Sequence, residues 1–348
     1  MTSIFYKIQV FVFYALLFLF PVHVVFIRLK NFLYDYKLIR PKKTKPTIIS
    51  IGNISLGGTG KTPLTIALVK LLKKQGYKVG VSTRGHGRKN ERASFLMKDK
   101  NWFVKDFYKH WRASGDEAVL LKNNLGSVPI YVSKDKAGAA KYLHEKCGCD
   151  IVILDDGFQH RRVYRDIDIV LLDSNEGLNK IFPYGALREP IIGLKRADII
   201  INTNAGDKKK EGGGFALKWR YNDYLLFAGI SENKTEGLGS LKQYNSILSL
   251  CAIGSPVSFQ KTLRSLKIDY KKFLIYPDHY PFKEKDIKKI NSFVDSNKID
   301  LILCTEKDLI KLKQYKKMLR APLAAITINY SLNSNLEKGV LNKIKEIV

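Results

Sequence analysis

The stretch TIISIGNISLGGTGKTP, residues 47–63, sets the first half of the fold. Its apolar start predicts a β-strand over Thr47–Ile51, and Pro63 suits the first turn of a helix. The turn between them follows the pattern G-x-x-x-x-G-K-[ST], in which backbone N–H groups surround the phosphates of a nucleotide. The start of the following helix adds positive potential at the same place. The stretch therefore predicts a nucleotide site on an α/β sheet.

Within this loop, Lys61 is suited to neutralise the β- and γ-phosphates, and the Thr62 hydroxyl is suited to Mg²⁺. One position departs from the strict pattern, because Ser55 stands where glycine is usual. The residues predicted to bind the nucleotide here are Ser55, Leu56, Gly57, Gly58, Thr59, Gly60, Lys61 and Thr62.

A second element, ILDD at residues 153–156, is an apolar strand that ends in two acids. A carboxylate at the end of a central strand is what a Walker B magnesium site needs, and either Asp155 or Asp156 can supply it. These elements do not distinguish a kinase from an ATPase. The guanine motif N-K-x-D occurs at residues 297–300, but it precedes a strand in the second domain and is interpreted as a helix-end turn.

Outward from the loop, short apolar runs alternate with amphipathic stretches such as Pro63–Gln75 and Lys134–Lys146. This alternation predicts a parallel sheet covered by helices. The predicted strands are Thr47–Ile51, Lys78–Ser82, Val128–Val132, Ile151–Leu154, Ile167–Leu172 and Asp198–Ile201.

A polar, glycine-rich break at Asp207–Gly214 precedes a predicted hairpin or pair of strands over Phe215–Gly229, and a second α/β series begins near Ile247. The predicted fold is thus α/β: a P-loop NTPase-like parallel-sheet domain, a smaller C-terminal α/β domain and an N-terminal membrane helix. The predicted boundaries are an anchor with its basic segment over 1–45, a P-loop domain over 46–204, a linker with a hairpin over 205–246, and the smaller domain over 247–348.

The membrane helix is predicted from Ile8–Ile27, twenty residues that are almost all apolar. As a helix they would reach about 30 Å, the thickness of the hydrocarbon core. Seven Lys or Arg and one Asp follow between Arg28 and Lys45. This excess of positive charge predicts that the rest of the chain lies in the cytoplasm. It also favours binding to anionic lipid headgroups. Whether the helix spans the bilayer or lies in its interface stays open.

Composition narrows the class of protein. The chain of 348 residues has 45% hydrophobic residues and carries 60 Lys and Arg against 32 Asp and Glu, a net charge of +28. The apolar fraction excludes a disordered chain, and the charge favours an anionic partner. Nucleic acid is disfavoured because no recognition motif occurs. The four cysteines show no zinc spacing and fit a reducing cytoplasm.

Taken together, the motifs resemble the tetraacyldisaccharide 4′-kinase family. That resemblance implies transfer of the γ-phosphate of ATP, with Mg²⁺, to the 4′-hydroxyl of a tetraacyldisaccharide 1-phosphate lipid, in lipid A biosynthesis at the cytoplasmic face of the bacterial inner membrane. Two positions depart from the family pattern, with His86 in place of Tyr and Tyr280 in place of His. The matching motifs are GNISLGGTGKTP (52–63), STRGHGRK (82–89), GDE (115–117), DDGFQHRR (155–162), LREP (187–190), PDHYPF (277–282) and TEKD (305–308).

The resemblance also implies roles for individual residues. Asp116 is the implied general base, assisted by His279, and the two come from different domains, so a cleft is expected between them. Other readings are a helix N-cap for Asp116 and a surface histidine for His279. Lys61 and Arg188 are expected at the transferred charge, Gln159 and His160 beside the nucleotide, and Thr62, Asp155, Asp156 and Glu189 as candidates for the metal.

A second class of function stays open from the motifs alone: a membrane-tethered P-loop ATPase switch that acts through partner proteins. The kinase reading explains the predicted anchor, because its substrate carries acyl chains. The kinase hypothesis requires no obligate protein partner. The two readings differ in whether the phosphate goes to lipid or to water.

Overall fold

The computed structural model contains two β-sheets. It describes residues 24–88, 90, 92–97, 112–173, 180–182, 184–203, 215–217, 223–227, 234–328 and 332–347.

The first sheet has eight strands in the order β3-β4-β2-β5-β1-β6-β7-β8. All neighbours are parallel except β3, which runs antiparallel to β4. The strands are β1 (Thr47–Asn53), β2 (Val79–Thr83), β3 (Phe95–Met97), β4 (Ile130–Val132), β5 (Ile151–Asp155), β6 (Ile167–Asp173), β7 (Ile199–Thr203) and β8 (Phe215–Leu217).

Strand β1 lies between β5 and β6 and is buried on both faces, which explains its continuous apolar run. Its central position brings the residues that follow it to the carboxyl edge of the sheet, where ligands of open α/β sheets bind. The helices of this half are α1 (24–35), α2 (Lys61–Lys74), α3 (Asp116–Leu125) and α4 (Lys136–Cys147), with a 3₁₀ helix at Ile191–Arg196.

The second sheet has six strands in the order β10-β9-β14-β13-β11-β12. Strands β11 to β14 are neighbours and run parallel to one another. Strand β9 pairs antiparallel with β14, and β10 pairs antiparallel with β9. The elements are β9 (Asp223–Phe227), β10 (Lys234–Gly237), β11 (Ile247–Cys251), α5 (Pro256–Ser265), β12 (Lys272–Ile275), α6 (Glu284–Asn297), β13 (Leu301–Thr305), α7 (Glu306–Leu312) and β14 (Leu323–Ile326), with 3₁₀ turns at Leu238–Gln243 and Lys313–Tyr315.

Of the two predictions for Phe215–Gly229, two strands are found, β8 and β9, but they do not pair with each other as a hairpin. Strand β8 pairs in parallel with β7 at the edge of the first sheet, whereas the hairpin is made by β9 and β10 in the second sheet. The sequence between 205 and 246 is therefore divided between the two sheets. A strand as short as β8 can pair either with an open sheet edge or with a neighbour across a local turn. The sequence pattern does not show which of the two pairings is the more stable.

The C-terminal boundary also differs from the prediction of one unit over 247–348. The last helix, α8 (Ser334–Lys345), packs on the first sheet, because its buried residues Leu336, Val340 and Ile344 belong to the same apolar cluster as β1 and β6. Its Gly339 lies against the Phe215 ring. The chain thus returns to the first domain after completing the second sheet.

Most of the predicted membrane helix, Ile8 to His23, lies outside the described residues. Helix α1 contains the remainder and continues to residue 35. Within the part of the chain that the structure describes, no helix combines the length and the hydropathy required to cross a bilayer.

The placement of α8 gives a stability prediction. Leu336 is fully buried in the first domain, so Leu336→Ala should lower the free energy of unfolding by about 2–5 kcal/mol through lost burial and the cavity left behind. The exposed neighbour Lys338 provides the control, and Lys338→Ala should change it by less than about 0.5 kcal/mol. Urea unfolding followed by circular dichroism measures both, and equal effects of the two changes would contradict this packing.

Candidate active site

The phosphate loop joins β1 to α2. Gly57 and Gly60 have φ values of 117° and 89°, which L-residues with side chains rarely adopt. Gly60 is the N-cap of α2, and no side chain caps this helix start. The first N–H groups of α2 therefore stay available to an anion.

The first part of the predicted loop, Ser55 and Leu56, is bonded to another segment of the chain. Ser55 is buried and forms a backbone bridge with Leu187, and the Leu56 amide donates to the Ala186 carbonyl at 2.6 Å. These contacts fasten the loop to the segment around residues 181–188. The cradle for phosphates therefore begins at Gly57, and Ser55 serves as its support.

Two further observations fit a nucleotide in the cradle. The Thr59 hydroxyl is buried and has no hydrogen-bond partner among the described residues. A buried polar atom without a partner is costly unless a ligand satisfies it. Lys61 lies close by, with its Nζ 3.7 Å from the nearer Asp156 oxygen.

The two acids at the end of β5, Asp155 and Asp156, differ sharply in environment. Asp155 is buried and accepts hydrogen bonds from the Thr65 hydroxyl at 3.2 Å and the Thr83 hydroxyl at 3.4 Å. Burial, together with the charge of Glu117, raises the pKa of Asp155 to about 6, against the opposing effect of Lys136. Asp155 is thus fixed within the sheet edge.

Asp156 points toward the phosphate loop. Its backbone is in the left-handed region, with φ 54°, and its carboxylate receives both Arg188 Nη1 contacts at 3.0 and 3.1 Å. Burial alone would raise the pKa of Asp156, but Lys61 and Arg188 outweigh it and hold the pKa below its usual range. Asp156 is therefore ionised and in contact with two of the predicted phosphate-binding cations.

The described residues contain no cluster of three or more Asp, Glu, His or Cys that could hold a metal alone. Magnesium typically needs fewer protein ligands, because it keeps waters and binds substrate phosphates. The Thr62 hydroxyl and the Asp156 carboxylate fit this pattern. Glu189 is engaged elsewhere, by Arg196 at 2.7 Å and Gln159 at 3.0 Å, so its predicted metal role gains no support from these contacts.

The two residues of the predicted base, Asp116 and His279, are in contact across the two domains. His279 Nδ1 lies 2.9 and 3.0 Å from the two Asp116 oxygens. Asp116 is the first residue of α3, after the N-cap Gly115, so it is not the helix cap. Its side chain is 3% exposed. Burial opposes ionisation, but Lys307, the His279 hydrogen bond and Lys311 outweigh it and lower the pKa of Asp116.

The second domain also reaches the phosphate loop. A Cβ on Gly254, which follows β11, would lie 3.8 Å from the Gly58 amide nitrogen and 3.0 Å from an Asp278 oxygen. Asp278 precedes His279 in the chain. The loops after β11 and β12 therefore lie over the predicted phosphate site, so His279 and its partner Asp116 face the same cleft as that site.

A cavity of about 280 Å³ opens beside the cleft, between α1 and the phosphate loop. Its wall combines apolar and polar side chains, including Ile27, Lys30, Leu56, Gln159, Phe182 and Glu189. Gln159 donates to the Asn53 carbonyl at 2.7 Å and is thereby fixed in the wall. His160 follows it, half-buried, and burial together with Lys136 lowers the pKa of His160 to about 4, which leaves it neutral at pH 7.

Sequence reasoning missed three lysines at the centre of the site. Lys136 is buried and donates to the carbonyls of Ser82 and Asp155, at the ends of β2 and β5. Lys307 and Lys311 lie on α7 and approach Asp116 from the second domain. The TEKD motif marked this segment without indicating its target, because a motif does not reveal a contact with a distant helix.

Comparison with known proteins tests the predicted family. The family profile of tetraacyldisaccharide-1-P 4′-kinase matches residues 13–345. The tetraacyldisaccharide 4′-kinase of Syntrophus aciditrophicus is 35% identical over 340 residues, covering 91% of this chain and 89% of that protein. The enzyme of the same name from Aquifex aeolicus is 30% identical over 323 residues, covering 92% and 93%.

A solved structure extends the likeness to the fold. The crystal structure of LpxK from Aquifex aeolicus in complex with ATP superimposes with a TM-score of 0.72 at 28% identity, covering 94% of this chain and 98% of that one. The kinase prediction is confirmed. The chain belongs to the tetraacyldisaccharide 4′-kinase family, ATP-dependent lipid-sugar kinases of lipid A biosynthesis.

Proposed function

We propose that Asp116 is the general base of the phosphoryl transfer that defines this family, with His279 as its partner. The observation that carries the proposal is the hydrogen bond between these two side chains, at 2.9 Å, in a cleft shared with the phosphate loop. A base must be ionised before the reaction, and the lowered pKa of Asp116 meets that condition at neutral pH.

In the proposed step, the 4′-hydroxyl oxygen of the disaccharide forms a bond to the γ-phosphorus of ATP. The bond from that phosphorus to the β,γ-bridging oxygen breaks, and ADP leaves. The hydroxyl proton passes to the Asp116 carboxylate. Of its two oxygens, Oδ1 also accepts from the Glu117 amide at 2.9 Å, so Oδ2 is the freer acceptor.

Lys61 and Arg188 are proposed to stabilise the charge that moves from the γ-phosphate to ADP. Both contact Asp156 here, so they already converge on one point beside the loop. Such prepositioned cations cost no reorganisation during the reaction. Thr62 and Asp156 are the proposed holders of Mg²⁺, which would supply neutralisation of phosphate charge when bound.

The cavity beside α1 is proposed to receive the disaccharide lipid. Its polar side holds Gln159, Glu189 and Lys30, groups that hydrogen-bond sugar hydroxyls and phosphates, while Ile27 and Phe182 are suited to acyl chains. The cavity meets the phosphate loop at Leu56 and Arg188. The sugar hydroxyl and the nucleotide are thereby brought to the same edge of the sheet.

We further propose that the cavity mouth faces the inner membrane from the cytoplasm. On α1 the side chains of Val25, Phe26 and Leu29 are exposed, and beyond the cavity Ile191 and Ile192 are 50% and 61% exposed. Ile191 lies two residues after Glu189 in the chain. Glu189 accepts a hydrogen bond from Asn31 of α1 at 3.3 Å. Exposed apolar side chains next to a lipid-substrate cavity indicate a membrane contact. The predicted anchor over residues 8–27 shares residues 24–27 with α1 and stays part of this proposal.

The base assignment is tested with Asp116→Asn, γ-labelled ATP, Mg²⁺ and a tetraacyldisaccharide 1-phosphate in detergent. Loss of the proton acceptor should lower kcat by about 10²–10⁴-fold, with ATP affinity changed little. Asp295→Asn, on the exposed surface of α6, is the control. Label released only as inorganic phosphate by the unaltered chain would favour an ATPase switch instead, and unchanged lipid labelling by Asp116→Asn would exclude this base.

The metal proposal predicts a difference between the two neighbouring acids. Asp156→Asn should raise the Mg²⁺ concentration for half-maximal activity by about tenfold or more, a change of about 1.4 kcal/mol. Asp155→Asn should raise it less, because Thr65 and Thr83 already occupy the Asp155 oxygens. Magnesium titrations of both variants decide the order, and the reverse order would assign the metal to Asp155.

The membrane proposal predicts where the folded domain meets lipid. A polarity-sensitive fluorophore on Ile192→Cys should shift to the blue on vesicles that contain phosphatidylglycerol, and a quencher in the acyl region should dim it. The same label on Val257→Cys, 58% exposed on the second domain, is the control. The described native cysteines are buried or half-buried, which directs labelling to the new site. Equal responses at both positions would contradict the proposed orientation.

A further inference from the structure

The segment Thr305–Asp308 matched the family motif without receiving a role in the proposed step. Its Lys307 lies at the start of α7, and its Nζ is 3.4 Å from His279 Nε2 and 3.3 Å from a Glu117 oxygen. Lys307 and Asp116 thus lie on opposite sides of the His279 ring. It joins α7 of the second domain to α3 of the first.

The chemistry of the two groups fixes the direction of their hydrogen bond. An ammonium group has three donors and no acceptor, so His279 Nε2 must accept from Lys307. A neutral imidazole carries one proton, which then sits on Nδ1. Nδ1 is the atom that lies 2.9 and 3.0 Å from the Asp116 oxygens. The nearer Asp278 oxygen is 3.7 Å from Nε2, beyond hydrogen-bond range.

We propose that Lys307 is a positioning residue that holds His279 as its Nδ1–H tautomer. In that form the ring donates to Asp116, keeps its carboxylate ionised and orients it toward the sugar hydroxyl. The inference rests on the proposed function, in which Asp116 is the base. No covalent step is assigned to the lysine.

The surroundings of Lys307 keep it charged and in place. Burial alone would lower its pKa, but the carboxylates of Glu117, Asp116 and Asp278 outweigh burial and raise the pKa above its usual value. The start of α7 is itself fixed, because the fully buried Asp308 accepts from the Ala252 amide at 3.0 Å. Asp308 also pairs with Lys311 at 2.9 Å.

The first test measures the tautomer directly in the full chain. Nitrogen-15 NMR of protein labelled at histidine gives separate resonances for protonated and unprotonated ring nitrogens, and His279→Gln identifies the His279 signals by their loss. We expect a protonated Nδ1 and an unprotonated Nε2 at pH 7. A protonated Nε2, whether in the other tautomer or in the imidazolium, would overturn the proposal.

The second test asks whether Lys307 acts through His279. Lys307→Met should lower kcat by about 10- to 100-fold, the range found for partners that fix a histidine through its other ring nitrogen. Combined with His279→Ala, the same change should cost less than about threefold, because its target is gone. Lys307→Arg, which keeps a donor, should recover most of the tautomer signal, and Lys141→Met, on an exposed pair, is the control.

Independent, multiplying losses from Lys307→Met and His279→Ala would overturn the proposal, since Lys307 would then act on the substrate itself. An unchanged His279 tautomer in folded Lys307→Met would do the same. Failure of the proposed function gives a different result. If Asp116→Asn kept full activity, Asp116 would not be the base, while the NMR signals would still report whether Lys307 sets the tautomer.

Discussion

The hydrogen bond between Asp116 and His279 is the contact on which the site depends. An ionised carboxylate with 3% of its side chain exposed is stable only with charged or donating partners. Asp116 belongs to helix α3 of the first domain, and its partners His279, Lys307 and Lys311 all come from the second domain. Neither domain alone therefore provides the proposed base with its partners, which come together only where the two domains pack.

A second contact links the proposed nucleotide site to the proposed lipid cavity. The Leu56 amide, which an ordinary phosphate loop could offer to its ligand, is bonded to Ala186. That bond fastens the loop to the segment carrying Arg188 and Glu189, two residues of the cavity wall. If the cavity receives the lipid as proposed, this bond holds the acceptor site and the phosphate site in one fixed arrangement.

The sequence predicted what depends on local chemistry. The phosphate loop, the alternation of strands and helices, and the family follow from residues close together in the chain. The return of α8 to the first sheet and the pairing of β8 with β7 depend instead on partners far away in sequence. The contacts of Lys307 could not be predicted for the same reason, since Glu117 and His279 reach it only after both domains have folded. Periodicity gives the buried face of an element without naming its neighbour.

The central claim is that Asp116 and His279 act as one unit across the domain interface. Its most direct test is the kcat of Asp116→Ala, of His279→Ala and of the double variant, measured as label transferred from ATP to the lipid acceptor. Residues that act as a unit give strongly non-additive losses, so the double variant should lie within about threefold of the slower single variant. Losses that multiply in the double variant would contradict the account.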